Sequence, residues 1–354
     1  MNKNKKEPEL LLFPTDTVPG IGCFFSGNCV EKLRKVKNRP KDKPFPILLS
    51  DTKDIKKYVK EIPSVYEKLK RFFPGGLTLI FKGKDNLPRE VLSKEGKVGI
   101  RIPAHKELRE FIRKSETALI ATSANISGAS TPKNLKDVDL TVDKILEGKS
   151  GSGTPSTVID ISNNSLLIYR KGAIPILEIE KATGKEAKLI ENIEFNVLFV
   201  CTANMCRSPM AEIHLKSLTE DLQKANIGSA GISAINGSPI YKLAGEVLAE
   251  ENLIVEHTAT LLTKPIIEWA DLIFVMEPMH KKYITFLSSV NKSKIEFLRN
   301  FKTTNKQYII DDPAGKDLEA CRKTFQMIKK SNKKIETYLR NKYKKTGNEL
   351  AHSL

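Results

Sequence analysis

The chain has 354 residues, room for two domains of ordinary size with a core in each. Hydrophobic residues at 40% and charged residues at 29% belong to a globular protein and exclude long disorder or a disulfide-stapled miniature. Lys and Arg exceed Asp and Glu by 17, with 36 against 25 up to Glu194 and 23 against 17 beyond it, so both halves present a cationic field. Such a field suits polyanions such as nucleotides, RNA or phosphoproteins, although a Lys-rich solvated surface produces the same excess.

No run approaches the 18 or more apolar residues of a membrane span, and the opening MNKNKKEPEL meets Pro14 soon after its first apolar segment. Neither a signal peptide nor an anchor is expected. Cys23, Cys29, Cys201, Cys206 and Cys321 form an odd, sparse set without the paired CxxC spacing of zinc sites, which predicts a reducing cytoplasmic setting. There is no repeat of solenoid period.

The first strand-like run, LLLFPTDTV at 10–18, leads into Thr15-Asp16-Thr17-Val18-Pro19-Gly20, where hydroxyls and a glycine suit close approach of a small polar ligand to the backbone. Lys37, Arg39, Lys41 and Lys43 then cluster between prolines, as a triphosphate site requires and as a solvated basic turn also allows. The runs PILLS, LTLIF, VGIRIP, LIATS, TVIDI and LLIYR follow, spaced by the helix-like stretches CVEKLRKVKNR and HKELREFIRKS. That alternation predicts a mixed α/β sheet.

With FFPGGLTLIF (72–81), VGIRIP (98–103), ATSANISG (121–128), TPSTVID (154–160) and LLIYRKGAI (166–174), the region from about 10 to 175 resembles the YrdC family of L-threonylcarbamoyl-AMP synthases. These enzymes make the intermediate for threonylcarbamoyl-adenosine in transfer RNA from L-threonine, bicarbonate and ATP. The resemblance implies Thr15 as a threonine contact, Lys37 with Arg39 as the phosphate grip, and Arg101 as partner of the threonine carboxylate. It implies substrate and nucleotide contacts at Ser123 and Asn125, a threonine-site hydroxyl at Ser156, and a late nucleotide contact at Arg170. Mg²⁺ is expected on the pyrophosphate, with no metal held by protein side chains. Pro19 stands where tyrosine is common in the family. Some members bind double-stranded RNA, and the charge of this half fits that as well.

The Lys- and Glu-rich segment ILEIEKATGKEAKLIENIEF lacks a clear long period, so the boundary is placed there. The expected layout is a first domain over 1–180, a linker over 181–194, a second domain over 195–345 and a solvated tail over 346–354.

The second domain opens on the strand FNVLFVC, followed by helix-spaced stretches and a further strand DLIFVM, a small doubly wound parallel-sheet pattern. Cys201-Thr202-Ala203-Asn204-Met205-Cys206-Arg207-Ser208 lies between the strand's end and an apolar-periodic helix. Backbone N–H groups and the helix dipole there hold a tetrahedral oxyanion and favour the thiolate of Cys201, the competent nucleophile. Arg207 can close the cradle on two phosphate oxygens, and Ser208 can donate to the sulfur. A buried structural cysteine at the end of a core strand is the plainer alternative for the C-x5-R spacing by itself. Downstream, Asp312 precedes a proline that would hold it on a rigid loop, as a general acid requires.

FVCTANMCRSPMAE, SAGISA (229–234), ADLIFVM (270–276) and DDPAG (311–315), in this order, resemble the low-molecular-weight protein-tyrosine phosphatases over 195–340. The resemblance implies Cys201 as the phosphocysteine-forming nucleophile, Arg207 as phosphate clamp, Asp312 as acid then base, and Asn204 and Ser208 ordering the loop. It makes Cys206 a thiol able to trap oxidised Cys201, and it requires no cofactor. Ala314 replaces the aromatic residue that flanks phosphotyrosine in many members. A related branch acts on phosphoarginine and carries threonine where Met205 stands; an apolar residue marks the tyrosine branch. An arsenate reductase would need more downstream cysteines than Cys321.

The fold expected is therefore α/β in two domains, a YrdC-like mixed sheet followed by a small doubly wound phosphatase. Both sites turning over is one reading of the whole chain. The other makes the first domain a non-catalytic RNA or nucleotide module regulating the phosphatase.

Overall fold

The computed structural model describes residues 9–25, 27–303 and 307–344. The tail expected at 346–354 and the opening MNKNKKEP lie outside the described residues. The chain divides into two compact units, one made of residues up to Ile174 with Ile179–Ala187, the other of Pro175–Glu178 with residues from Lys188 onward.

The first unit carries β1 (Leu11–Phe13), β2 (Gly20–Phe24), α1 (Gly27–Val36), β3 (Ile47–Leu48), α2 (Tyr66–Leu69), β4 (Leu77–Lys82) and β5 (Lys97–Arg101). It continues with α3 (Lys106–Lys114), β6 (Leu119–Ser123), β7 (Lys144–Ile145), β8 (Thr157–Asp160) and β9 (Leu167–Arg170). The strands are ordered β9-β8-β4-β5-β3-β6-β2-β1-β7. The β1–β7, β3–β5 and β4–β8 pairs are parallel and the rest antiparallel, so the sheet is mixed as its alternating pattern predicts. On α3, Leu108 and Ile112 lie four apart on one face and bury against Leu11, Phe13 and Leu119 of the sheet. His105 Nδ1 caps that helix by accepting from Leu108 N at 3.3 Å.

Register decides which loops of this unit share an edge. Gly20 pairs with Ser123, Arg101 with both Leu48 and Thr78, and Val158 with Arg170, so segments 100 residues apart in sequence end side by side.

After β9 come α4 (Ile176–Thr183) and β10 (Lys188–Leu189), both reaching into the segment 181–194. The second unit then contains β11 (Phe195–Cys201), α5 (Arg207–Leu218), β12 (Ala225–Gly231), α6 (Lys242–Glu250) and α7 (Lys264–Trp269). β13 (Leu272–Val275), α8 (Pro278–Leu287), β14 (Ile295–Phe297) and α9 (Leu318–Tyr343) complete it. Its four strands, all parallel, are ordered β12-β11-β13-β14. Every residue of β11 is buried, because both faces of a parallel sheet are covered. Leu198 and Val200 pack with Ile267 and Ile284 in one layer. Phe195 and Phe301 meet Tyr338 of α9 on ring edges. α9 begins at Asp317, whose Oδ1 accepts from Ala320 N at 2.9 Å, and buries Cys321, Phe325, Ile328, Ile335 and Leu339 at helical spacing.

The chain leaves β11 for β12 on one side and later returns to β13 on the other. A crevice forms at the carboxyl end of a strand where the order reverses in this way, which is where Cys201 sits. Among the described residues no helix is long and apolar enough to cross a membrane.

Candidate active sites

In the first unit all eight expected side chains, Thr15, Lys37, Arg39, Arg101, Ser123, Asn125, Ser156 and Arg170, line one cavity of about 600 Å³. The end of α1 is tied to the TSAN loop by Lys37, 1% exposed, whose Nζ donates to the backbone oxygens of Ser123 and Asn125. Ser123 Oγ donates to Asn125 Oδ1 at 2.5 Å, which stiffens the same loop. Thr15 Oγ1 donates to Val18 O at 2.7 Å and accepts from Thr17 N at 3.1 Å, so this hydroxyl staples the turn after β1.

Further cations line the cavity. Arg39 lies over the Phe45 ring, 4.8 Å from its centroid, and donates to Pro44 O at 2.7 Å. Arg170 donates to Ser156 O and Oγ, each at 3.0 Å, and Ser156 Oγ is 2.8 Å from Thr78 Oγ1. Arg101 Nη2 donates to Asp16 Oδ1 at 2.7 Å and its Nε to Gly75 O at 3.1 Å. Asp16 was not singled out in the sequence, yet it also accepts from Ala104 N at 2.9 Å and thereby fixes Arg101 in place.

Burial and the neighbouring Arg39 hold the Lys37 ammonium down to about 8. Burial, Arg34 and Arg170 bring Arg39 down to about 10, and burial with Arg101 lowers Arg170. Cations that repel one another in a half-dry pocket are relieved when a polyanion neutralises them. Lys43 of the basic cluster and Tyr169 of LLIYR line it too, as do Glu95 and Lys97, which nothing in the sequence separates from solvated residues. Among the described residues no group of three His, Cys, Asp or Glu side chains could hold a metal ion.

In the second unit the loop from Cys201 to Arg207 wraps the start of α5. Asn204 is its keystone: fully buried, with φ at 55°, a left-handed conformation that asparagine tolerates better than most residues. Its N–H points at Cys201 Sγ, 3.3 Å away. Its Nδ2 donates to Ser208 Oγ at 2.8 Å and Ser229 Oγ at 2.7 Å, while its Oδ1 accepts from Thr260 N at 2.8 Å. Because Ser208 Oγ accepts from Asn204, its own hydrogen is available to Cys201 Sγ, 2.9 Å away. Ser229 Oγ donates in turn to Glu212 Oε2 at 2.5 Å, and His257 Nε2 lies 2.8 Å from Asn204 O. At Gly231 a Cβ would sit 2.6 Å from Thr202 O, so only glycine lets β12 pass this close to the loop.

Arg207, 2% exposed, donates Nη1 to Glu277 Oε1 at 2.7 Å and to Ile310 O at 3.3 Å. Its Nη2 donates to Thr202 Oγ1 at 3.3 Å and to Asp312 Oδ2. Asp312 Oδ1 accepts from Ala314 N at 3.0 Å, which holds the Asp-Pro turn. The loop thus gathers Cys201, Asn204, Arg207, Ser208 and Asp312, while Ala203 and Met205 are half-buried in its wall. Cys206 is buried beside Cys321, to which it is hydrogen-bonded, and burial raises both thiols. Glu212, Ser229, His257, Glu277 and His280 escaped the sequence reading. Ser229, the first residue of SAGISA, and Glu212, the last of FVCTANMCRSPMAE, carried a signal in those motifs.

Two family models match the chain. The Sua5/YciO/YrdC model, described as telomere recombination, covers residues 5–172, and the low-molecular-weight phosphotyrosine protein phosphatase model covers 196–345. A threonylcarbamoyl-AMP synthase of Pyrococcus abyssi is 35% identical over 187 residues, 51% of this chain and 55% of that protein. Another, of Buchnera aphidicola, is 34% identical over 169 residues, 46% of this chain and 97% of its own length. A protein-arginine-phosphatase of Bacillus subtilis is 32% identical over 130 residues, 36% of this chain and 86% of its own. The chain belongs to both families. It spans about half the length of the Pyrococcus abyssi relative.

Seen as members of these families, the two units place their chemistry differently. The Sua5/YrdC unit assembles its cavity from six distant segments. The second unit carries Cys201, Asn204, Arg207 and Ser208 on one continuous loop and brings Glu277 and Asp312 to Arg207 from distant segments.

Proposed function

We propose that the first unit condenses L-threonine, bicarbonate and ATP into L-threonylcarbamoyl-AMP, for threonylcarbamoyl-adenosine formation in transfer RNA, and that the second hydrolyses phosphomonoesters of the phosphotyrosine type. The first assignment rests on one observation: the eight side chains that the resemblance singles out meet in a single cationic cavity of about 600 Å³. Lys37, Arg39 and Arg170 face the triphosphate, and Arg101, oriented by Asp16, takes the threonine carboxylate. Threonine's amine and bicarbonate give the carbamate with loss of water. A carbamate oxygen then forms a bond to the α-phosphorus as the bond to pyrophosphate breaks. The unit's part is alignment and charge neutralisation. Mg²⁺ rides on the phosphates and supplies further neutralisation when bound.

The second assignment rests on the cradle of Cys201, Asn204 N–H and Ser208 opposite Arg207 and Asp312. Cys201 Sγ forms a bond to phosphorus as the ester oxygen departs with a proton from Asp312. Asp312 then takes a proton from water as it attacks phosphorus, and Ser208 stabilises the departing thiolate. The arginine phosphatase relative favours a second reading, in which the scissile bond is the P–N bond of phosphoarginine. The free, buried state of all five cysteines supports a reducing, cytoplasmic setting.

The deciding experiment gives the purified chain ATP, L-threonine, bicarbonate and Mg²⁺ and follows pyrophosphate and threonylcarbamoyl-AMP, beside a Lys37→Ala control. Product that the control loses supports a bifunctional enzyme. No product, with p-nitrophenyl phosphate still hydrolysed, makes the first unit an RNA- or nucleotide-binding module. Comparing phosphotyrosine with phosphoarginine peptides separates the two phosphatase readings.

A further inference from the structure

His280, in the first turn of α8, is fully buried behind the phosphate loop. Its Nε2 lies 3.1 Å from Thr202 Oγ1 and 3.5 Å from Glu277 Oε1, while its Nδ1 is buried without a hydrogen-bond partner among the described residues. Burial and the adjacent Arg207 push its pKa down to about 4, so at neutral pH the ring carries one proton. A proton on Nδ1 would strand a buried donor and turn the Nε2 lone pair toward the Glu277 carboxylate. On Nε2 the proton faces two oxygens and leaves only an unmet acceptor, the smaller cost.

Thr202 Oγ1 then accepts twice, from His280 Nε2 and, at 3.3 Å, from Arg207 Nη2. A hydroxyl has two acceptor sites and one hydrogen. With both acceptor sites filled, the hydrogen remains, and among the described residues Thr202 Oγ1 has no further hydrogen-bond partner to receive it. Thr202 is half-buried, adjoins Cys201 and touches the same guanidinium nitrogen that meets Asp312.

We infer that the Thr202 hydroxyl donates a hydrogen bond to a non-bridging phosphoryl oxygen of the ligand, and that His280 is the positioning residue that leaves this hydrogen available. The assignment rests on the phosphatase reading of the second unit. It makes Thr202 a catalytic residue in contact with the phosphoryl group. Glu277 orients the arrangement by bonding Arg207 on one side and facing His280 on the other.

The test measures inorganic phosphate as a ligand, by calorimetry and by competition with p-nitrophenyl phosphate, in Thr202→Val, Thr202→Ser, His280→Leu and the Thr202→Val/His280→Leu double variant. A charge-assisted hydrogen bond predicts about a tenfold loss of phosphate affinity in Thr202→Val, with an equal or larger fall in kcat/KM, and recovery to within about twofold in Thr202→Ser. His280→Leu lowers affinity in the Thr202 background and adds nothing in the Thr202→Val background, a coupling that a merely structural histidine would not show. Thermal unfolding checks each fold, and Thr202→Val decides the matter even where His280→Leu fails to fold. Unchanged phosphate affinity in Thr202→Val, or losses that multiply in the double variant, overturns the assignment. A wild-type chain that neither binds phosphate nor hydrolyses p-nitrophenyl phosphate overturns the phosphatase reading itself, a separate outcome.

Discussion

Arg207 and Asp312 form an ion pair across the mouth of the phosphate loop, Arg207 Nη2 donating to Asp312 Oδ2. The clamp and the proposed acid therefore neutralise each other before a ligand arrives. A phosphoryl dianion must take Asp312's place on the guanidinium, which frees the carboxyl to serve the leaving oxygen. Asp312→Asn should consequently bind inorganic phosphate several-fold more tightly while losing about 100-fold or more in kcat on phenyl phosphate, and less on p-nitrophenyl phosphate. Steady-state kinetics across a leaving-group series check both effects. Cys201→Ser should abolish turnover and leave the fold intact, and hydrolysis at the wild-type rate by that variant would sink the nucleophile assignment.

Lys37 links the first site to pH. Its folded value of about 8 lies below the ordinary 10.5, so the charged side chain disfavours the fold below about pH 8, and this cost lifts as pH rises toward 10.5. For binding the sense is opposite, because a discharged amine cannot meet a phosphate. ATP affinity should be full below about pH 8 and fall above it, and binding at pH 9 should take up a proton as the phosphates restore the ammonium. Calorimetry in buffers of different ionisation enthalpy measures that uptake, which Lys37→Ala should remove.

Asn204 combines a left-handed backbone with three side-chain hydrogen bonds. Asn204→Ala should destabilise the second unit by about 2–4 kcal/mol, and Asn204→Gly by about 1 kcal/mol less because glycine accepts the positive φ. Trp269 is the single tryptophan of the chain and stands in α7, so its fluorescence during urea unfolding reports this unit alone.

Peroxide should inactivate the phosphatase by converting Cys201 to its sulfenic acid, which the Cys206 thiol condenses with to give a disulfide and water. Dithiothreitol should then restore the wild-type activity. In Cys206→Ser, which lacks the trapping thiol, the sulfenic acid proceeds to higher oxides and dithiothreitol should restore none of it; equal recovery in both proteins would rule out this pairing.

Three of the site segments legible in the sequence lie where a strand ends. PTDTVPG follows β1, TSAN straddles the end of β6 and CTANMCRS starts on the last residue of β11, so hydrophobic period and polar interruption together mark them. Thr15 was legible as a residue type but not as a turn staple, because its partner Val18 offers only a backbone oxygen. Asp16, Glu277 and His280 were not legible. An aspartate after a strand, a glutamate before a helix and a buried histidine each have ordinary structural explanations until their partners are known.

The sequence by itself determined two α/β units, a cationic first half and a Cys201-to-Arg207 loop between a strand and a helix, since strand period, helix start and loop length are all set within a dozen neighbouring residues. Tertiary structure alone decided that Glu277 and Asp312, 70 and 105 residues from Arg207, are the carboxylates that hold it. It likewise decided that Lys37 is buried against backbone oxygens 86 and 88 residues away. Those meetings follow from strand order and register, which depend on how whole elements cover one another's apolar faces and leave no trace in local spacing.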